Sequence, residues 1–85
     1  MKLILCTKCQ DVVRLTHERR ECECGRCWGR YVDGLNAVIN KESIPLGFDN
    51  YSFTRALKNR PKSGWGETFD AFVIPEECGT VKIER

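Results

Sequence analysis

Two short runs decide how this chain folds: Cys6-Thr7-Lys8-Cys9 and Cys22-Glu23-Cys24-Gly25-Arg26-Cys27. A zinc ion takes four ligands at the corners of a tetrahedron, with each sulfur about 2.3 Å away. Two cysteines two or three positions apart on a tight turn put both sulfurs on one side of such an ion. A second turn of the same kind completes the shell. The segment between them, Asp11 to Glu21, is long enough for two short strands and a turn, which is the plan of a zinc ribbon.

Five cysteines compete here for four places. Cys6 and Cys9 form the firm pair, Cys24 joins them, and the fourth ligand is Cys22 or Cys27. Cys24-x2-Cys27 has the commoner spacing, whereas Cys22-x-Cys24 followed by Gly25 makes a tight knuckle. His17, alone at the tip between the two turns, reads as an exposed histidine. Cys78 reads as an unligated, partly buried thiol. The same ligands could hold iron, but nothing nearby marks an electron-transfer partner. With enough cysteines to close the shell, structural zinc is preferred to a catalytic ion, which needs an open position.

The surroundings of these runs set the chemical context. Met1 to Leu5 offers only three apolar residues before Cys6, and a secretory leader needs roughly 7–15. No stretch approaches the roughly 20 apolar residues of a membrane span. The chain is therefore expected in a reducing cytoplasm, away from membranes, where clustered cysteines serve metals rather than disulfides. At 85 residues it is expected to be a single domain, 1–33 forming the metal-bound head and 34–85 a β-helix-β remainder packed on it. Chains near this size commonly need a metal, a disulfide or a partner subunit to supplement a small core. Formal charge is +2 at pH 7. Zinc with four thiolates brings the total near zero, which weakens the case for a generally basic nucleic-acid binder.

The fold class expected is α+β: a small zinc-ribbon-like antiparallel sheet with one helix. Lys2–Leu5 and Val12–Leu15 read as strands, then Arg30–Asp33 and Leu35–Asn40 about Gly34. Ile44-Pro45-Leu46-Gly47-Phe48, broken by Pro and Gly, reads as an edge strand or a loop. Asp49 is a natural N-cap for the one clear helix, with Phe48 and Phe53 placed as a hydrophobic staple. Phe53, Ala56 and Leu57 share its apolar face, and Pro61 ends it near Asn59. Thr68 to Ile74 has the strongest strand character. Its apolar residues on both faces predict a central position. Thr80–Ile83 is a last short strand.

Taken together, the Cys-x2-Cys…Cys-x-Cys-Gly head, Ile44–Phe48, Ser52–Leu57 and Gly64-Trp65-Gly66…Phe69-x-Ala71–Pro75 resemble small uncharacterised bacterial and phage proteins. In that pattern the position of Cys27 need not be cysteine, which favours Cys22 as the fourth ligand. The resemblance implies a phage or prophage setting, hence a host cytoplasm, and no particular chemistry.

No glycine-rich phosphate loop, nucleophile elbow or zinc-protease motif occurs, and one histidine leaves little for acid–base work. The chain is thus expected to bind rather than catalyse. Arg55, Lys58, Arg60 and Lys62 bring four positive charges into eight residues with no acid among them, followed by Trp65 between two glycines. Arg and Lys can hold phosphate while a base stacks on the indole. Arg55, Lys58, Lys62 and Trp65 are therefore the expected site for a phosphate-bearing ligand such as a nucleotide signal. Arg14, Arg19, Arg20, Arg26 and Arg30 with Trp28 and Tyr31 give the head a second candidate surface, for nucleic acid or a host protein. A small core and near-zero charge also predict self-association, with Lys2–Leu5 or Ile44–Phe48 as sheet edges.

Overall fold

The computed structural model describes residues 1–84. The chain runs β1 (Lys2–Cys6), β2 (Val12–Arg14), β3 (Arg20–Glu21), β4 (Trp28–Tyr31), β5 (Ala37–Asn40), β6 (Ser43–Phe48), α1 (Asn50–Lys58), β7 (Ala71–Val73) and β8 (Val81–Glu84). The α+β class holds, with the strands divided between two four-stranded sheets. The first has the order β2-β1-β6-β7 and is antiparallel throughout. The second has the order β3-β4-β5-β8, and β8 lies parallel to β5.

The core lies between the sheets. Ile4, Cys6, Val13, Leu15 and Ile74 meet Cys22, Cys27, Ala37, Ile39 and Val81 there. The chain passes from one sheet to the other just after β2. The Leu15 amide donates to the Lys2 carbonyl in the first sheet, and the Thr16 carbonyl accepts from the Tyr31 amide in the second. Asp11–Glu21 therefore does not fold back on itself. It finishes one hairpin, β1–β2, and begins another, β3–β4, so each cysteine turn closes a hairpin of its own. Leu15 and Ile39 also fill the space over Gly29, where an added Cβ would meet Ile39 Cγ2 at 2.9 Å and Leu15 Cδ2 at 3.0 Å.

The expectation for Ile44–Phe48 is overturned. This segment is an interior strand, paired with β1 on one side and β7 on the other. Lys2–Leu5 is interior as well, so neither is a free edge. Pro45 is tolerated because of where its nitrogen points. Its carbonyl accepts from the Ile74 amide on the β7 side, and in a strand a residue's nitrogen and carbonyl face the same way. The missing donor thus falls at the end of the β6–β7 ladder, where pairing stops. Gly47 leaves room for Phe72, whose ring comes within 2.5 Å of the place a Cβ would occupy.

Thr68–Ile74 departs from expectation too. Only Ala71–Val73 is strand, and it forms an edge with all three residues exposed. The helix matches its expected limits. Asp49 caps it, accepting from the Ser52 amide at 3.2 Å. Phe48, Phe53 and Phe69 stack at centroid separations of 4.8 to 5.4 Å. Leu57, expected to pack inward, is 58% exposed. The helix is anchored through this aromatic trio and through Ser52, whose hydroxyl accepts from the Asp70 amide at 2.9 Å and so fixes the start of β7.

Candidate metal centre

The first cysteine turn follows β1 directly. The Gln10 amide donates to the Cys6 carbonyl at 2.8 Å, and Gln10 takes a left-handed backbone, φ 62°. That conformation is uncommon away from glycine, and it curls the loop so that its amides face inward. The amides of Cys9 and then Lys8 are directed at the Cys6 sulfur and pull its thiol down to about 6, against the opposing effect of burial. The second turn repeats the arrangement. The Cys22 amide donates to the Cys27 carbonyl at 2.9 Å, and the Gly25 amide to the Cys22 carbonyl at 3.0 Å, with Gly25 at φ 79°. Here the Cys27 amide points at the Cys22 sulfur, 3.3 Å away.

These two turns bring four sulfurs together. The Sγ atoms of Cys6, Cys9, Cys22 and Cys24 all lie within 4.8 Å of one another. Cys22 and Cys24 are 3.5 Å apart, and Cys6 and Cys24 are 3.7 Å apart. Sulfurs at the corners of a tetrahedron about 2.3 Å from its centre would be spaced by roughly 3.8 Å, so the donor set fits one metal ion. Its electrostatics favour a cation as well. The Arg26 amide pulls the Cys24 thiol down, but burial and the neighbouring sulfurs of Cys22, Cys6 and Cys9 outweigh it and push the thiol up to about 12. Crowded thiolates repel one another, and a bound cation removes that penalty.

No protein-family model matches the chain, and no curated protein and no solved structure matches it. The geometry of the cysteines and of their surroundings therefore carries the functional reading.

Cys27 lies outside the four-sulfur group. It is buried in the core, where burial above all raises its thiol to about 11. Its thiol bonds to the Cys6 sulfur and to Ser43 from beside the group, and its amide points at the Cys22 sulfur. Cys78 sits on the far side of the core with its sulfur 3.4 Å from the Thr80 hydroxyl. All six cysteines are free of disulfides.

Two residues that sequence reasoning passed over hold the turns in place. Asn40 is buried at the end of β5. Its carbonyl oxygen accepts from the Trp28 amide at 3.0 Å, and its amide donates to the Arg26 carbonyl at 2.6 Å and to Glu42 at 2.8 Å. The Ser43 hydroxyl also bonds to it. One side chain thus clamps both flanks of Cys27. Asp11 joins the two turns: its carbonyl accepts from the Cys6 amide at 3.0 Å, and its carboxylate from the Glu23 amide at 2.9 Å. Neither residue stands out in sequence, because each acts through backbone groups brought close only by the fold.

The basic run is divided. Arg55 and Lys58 line a shallow cavity of about 480 Å³ on the outer face of α1, together with Asn50, Tyr51 and Thr54. Lys62 and Trp65 lie on the following exposed loop and do not line it. The indole is 99% exposed. Glu67 comes back against the run: its carboxylate is 3.5 Å from Arg55 Nε and accepts from Asn59 Nδ2 at 3.1 Å. Tyr51 rather than Trp65 is the aromatic side chain beside Arg55. On the head, the Arg19 guanidinium stacks 4.5 Å from the Trp28 ring and pairs with Glu21 at 3.2 Å.

Proposed function

We propose that this protein is a non-enzymatic binding module whose fold is fastened by one structural zinc ion on Cys6, Cys9, Cys22 and Cys24. The observation that carries this reading is the convergence of four sulfurs within 4.8 Å on two hairpin turns. Backbone amides aimed at the Cys6 and Cys22 sulfurs support it. Four thiolates fill the coordination shell and leave no position for substrate or water, so the ion would serve stability. Metal analysis of protein purified without added metal tests this directly, with about one zinc per chain expected. A red protein carrying iron, or a folded chain free of metal, would overturn it.

The ligand in this reading bears phosphate and binds at the Arg55–Lys58 surface, with Lys62 and Trp65 on the adjoining loop. Support comes from the cavity beside Arg55 and Lys58 and from an indole open to stacking. Arg55 would exchange its exposed pairing with Glu67, of little net worth, for a charge-assisted bond to phosphate. In the phage setting that the resemblance implies, such a module would sequester a nucleotide signal. A melting screen against nucleotides, followed by Arg55→Ala and Trp65→Ala, tests the site. Both variants should retain zinc and lose binding by roughly ten- to a hundred-fold.

Nucleic acid on the head is the second reading. Arg30, Val38 and Lys82 stand side by side across β4, β5 and β8, on the same side of β4 as Trp28. This surface predicts an affinity for single strands that falls steeply with salt.

A further inference from the structure

The first sheet has two apolar faces, and only one meets the core. Ile4 and Cys6 point from β1 into the space between the sheets, so their neighbours Leu3 and Leu5 point the other way. Register extends this outer face across the sheet. Leu3 lies between Arg14 and Leu46, and Leu46 lies beside Val73; Leu5 lies between Val12 and Ile44. Of these residues none belongs to the core cluster or packs against it. Val12 is 48% and Val73 65% exposed at the two margins, Leu5, Ile44 and Leu46 are half-buried, and Leu3 between them is 7% exposed. The helix reaches this face only at its Phe48 end, through Phe53 and Phe69. An antiparallel sheet with a solvated face normally alternates apolar and polar residues, and this one does not.

We propose that the outer face of the first sheet is the interface of a homodimer, packed face to face against the same sheet of a second copy. Three features select a second copy over a different partner. The face carries no acid and only one cation, Arg14 on the β2 edge, so it offers an unlike partner little charge to read. Interfaces this apolar are typical of homodimers. The surface that best fits a twisted antiparallel sheet is another sheet of the same twist, with strands aligned within about 30°, and this chain supplies one. A two-fold axis parallel to the strands sets β1 of each copy over β6 of the other. Leu3 then faces Leu46, and the two Arg14 side chains stand at opposite rims.

Size sets the expected strength. Four strands at ordinary spacing and about five residues of rise give a patch on the order of 400–500 Å² per copy, side-chain relief included. Two copies bury on the order of 800–1,000 Å², at or just under the lower bound of a specific interface. The dimer is therefore expected to dissociate in the micromolar range. The inference does not depend on the metal or ligand assignment.

Sedimentation of the full chain, as purified, from micromolar to about 1 mM tests it. The mass should rise from 9.8 kDa toward twice that value. Val12→Glu and Val73→Glu place a carboxylate on already exposed positions. Each should raise the dissociation constant at least roughly ten-fold with the melting curve retained. In the parent chain the methyl resonances of Leu3, Leu5, Ile44 and Leu46 should shift with concentration, while those of Ile39 and Val81 stay. A chain that remains at 9.8 kDa at 1 mM overturns the proposal. So does a dimer indifferent to Val12→Glu, which would point instead to pairing along the β7 edge, on the opposite side of the sheet.

Discussion

At the scale of single residues, the cysteines divide by what their sulfurs and amides can reach. Spacing made Cys6, Cys9 and Cys24 legible as a group, but it could not separate Cys22 from Cys27. The two differ in three dimensions: Cys22 follows β3 with its sulfur in the group of four, whereas the Cys27 sulfur lies outside that group, beside Cys6 and Ser43. Single Ser substitutions should reproduce that division. Loss of Cys9 or Cys22 should abolish stoichiometric zinc, while Cys27→Ser and Cys78→Ser should keep one zinc per chain; metal analysis of each variant reads the result. Asn40 was invisible in sequence, since an asparagine at a strand end reads as a turn former. Asn40→Ala would orphan the Trp28 amide and the Arg26 carbonyl. It should cost about 1–3 kcal/mol in denaturant unfolding of the metal-loaded protein.

At the scale of elements, the helix was readable to within a residue because its signals are local: an Asp cap, an aromatic staple and a proline stop. The sheets were not, because partners distant in sequence decide them. Pro45 and Gly47 argued against an interior strand. Their cost vanishes once Pro45 meets the end of a ladder and Gly47 meets the Phe72 ring. The same side chains misled about β7, where apolar residues on both faces suggested burial. Phe72 covers Gly47, and Ala71 and Val73 belong to the uncovered face, so the pattern is satisfied at an edge. The parallel pairing of β8 with β5 left no local mark at all. The Gly47–Phe72 fit gives a sharp test. Gly47→Ala should displace the half-exposed Phe72 ring and destabilise the fold by about 1 kcal/mol, the low end of the overpacking range. Phe72→Leu in the same chain should recover part of that loss, as measured by paired denaturation curves.

For the whole molecule, the two cysteine turns close hairpins that belong to different sheets, so one ion held between them would tie the two layers together where the buried core is small. Chelation of the purified protein should therefore lower the melting temperature of the entire chain, rather than loosen only residues 6–27, and readdition of zinc should restore it. Far-ultraviolet circular dichroism with and without chelator distinguishes these outcomes. X-ray absorption at the zinc edge, on protein purified without added metal, tests the central claim most directly. The proposed zinc site predicts about one zinc per chain with four sulfur neighbours near 2.3 Å. An absorber with fewer than four sulfurs, with nitrogen or oxygen in the first shell, or no zinc at all in folded reduced protein would contradict it.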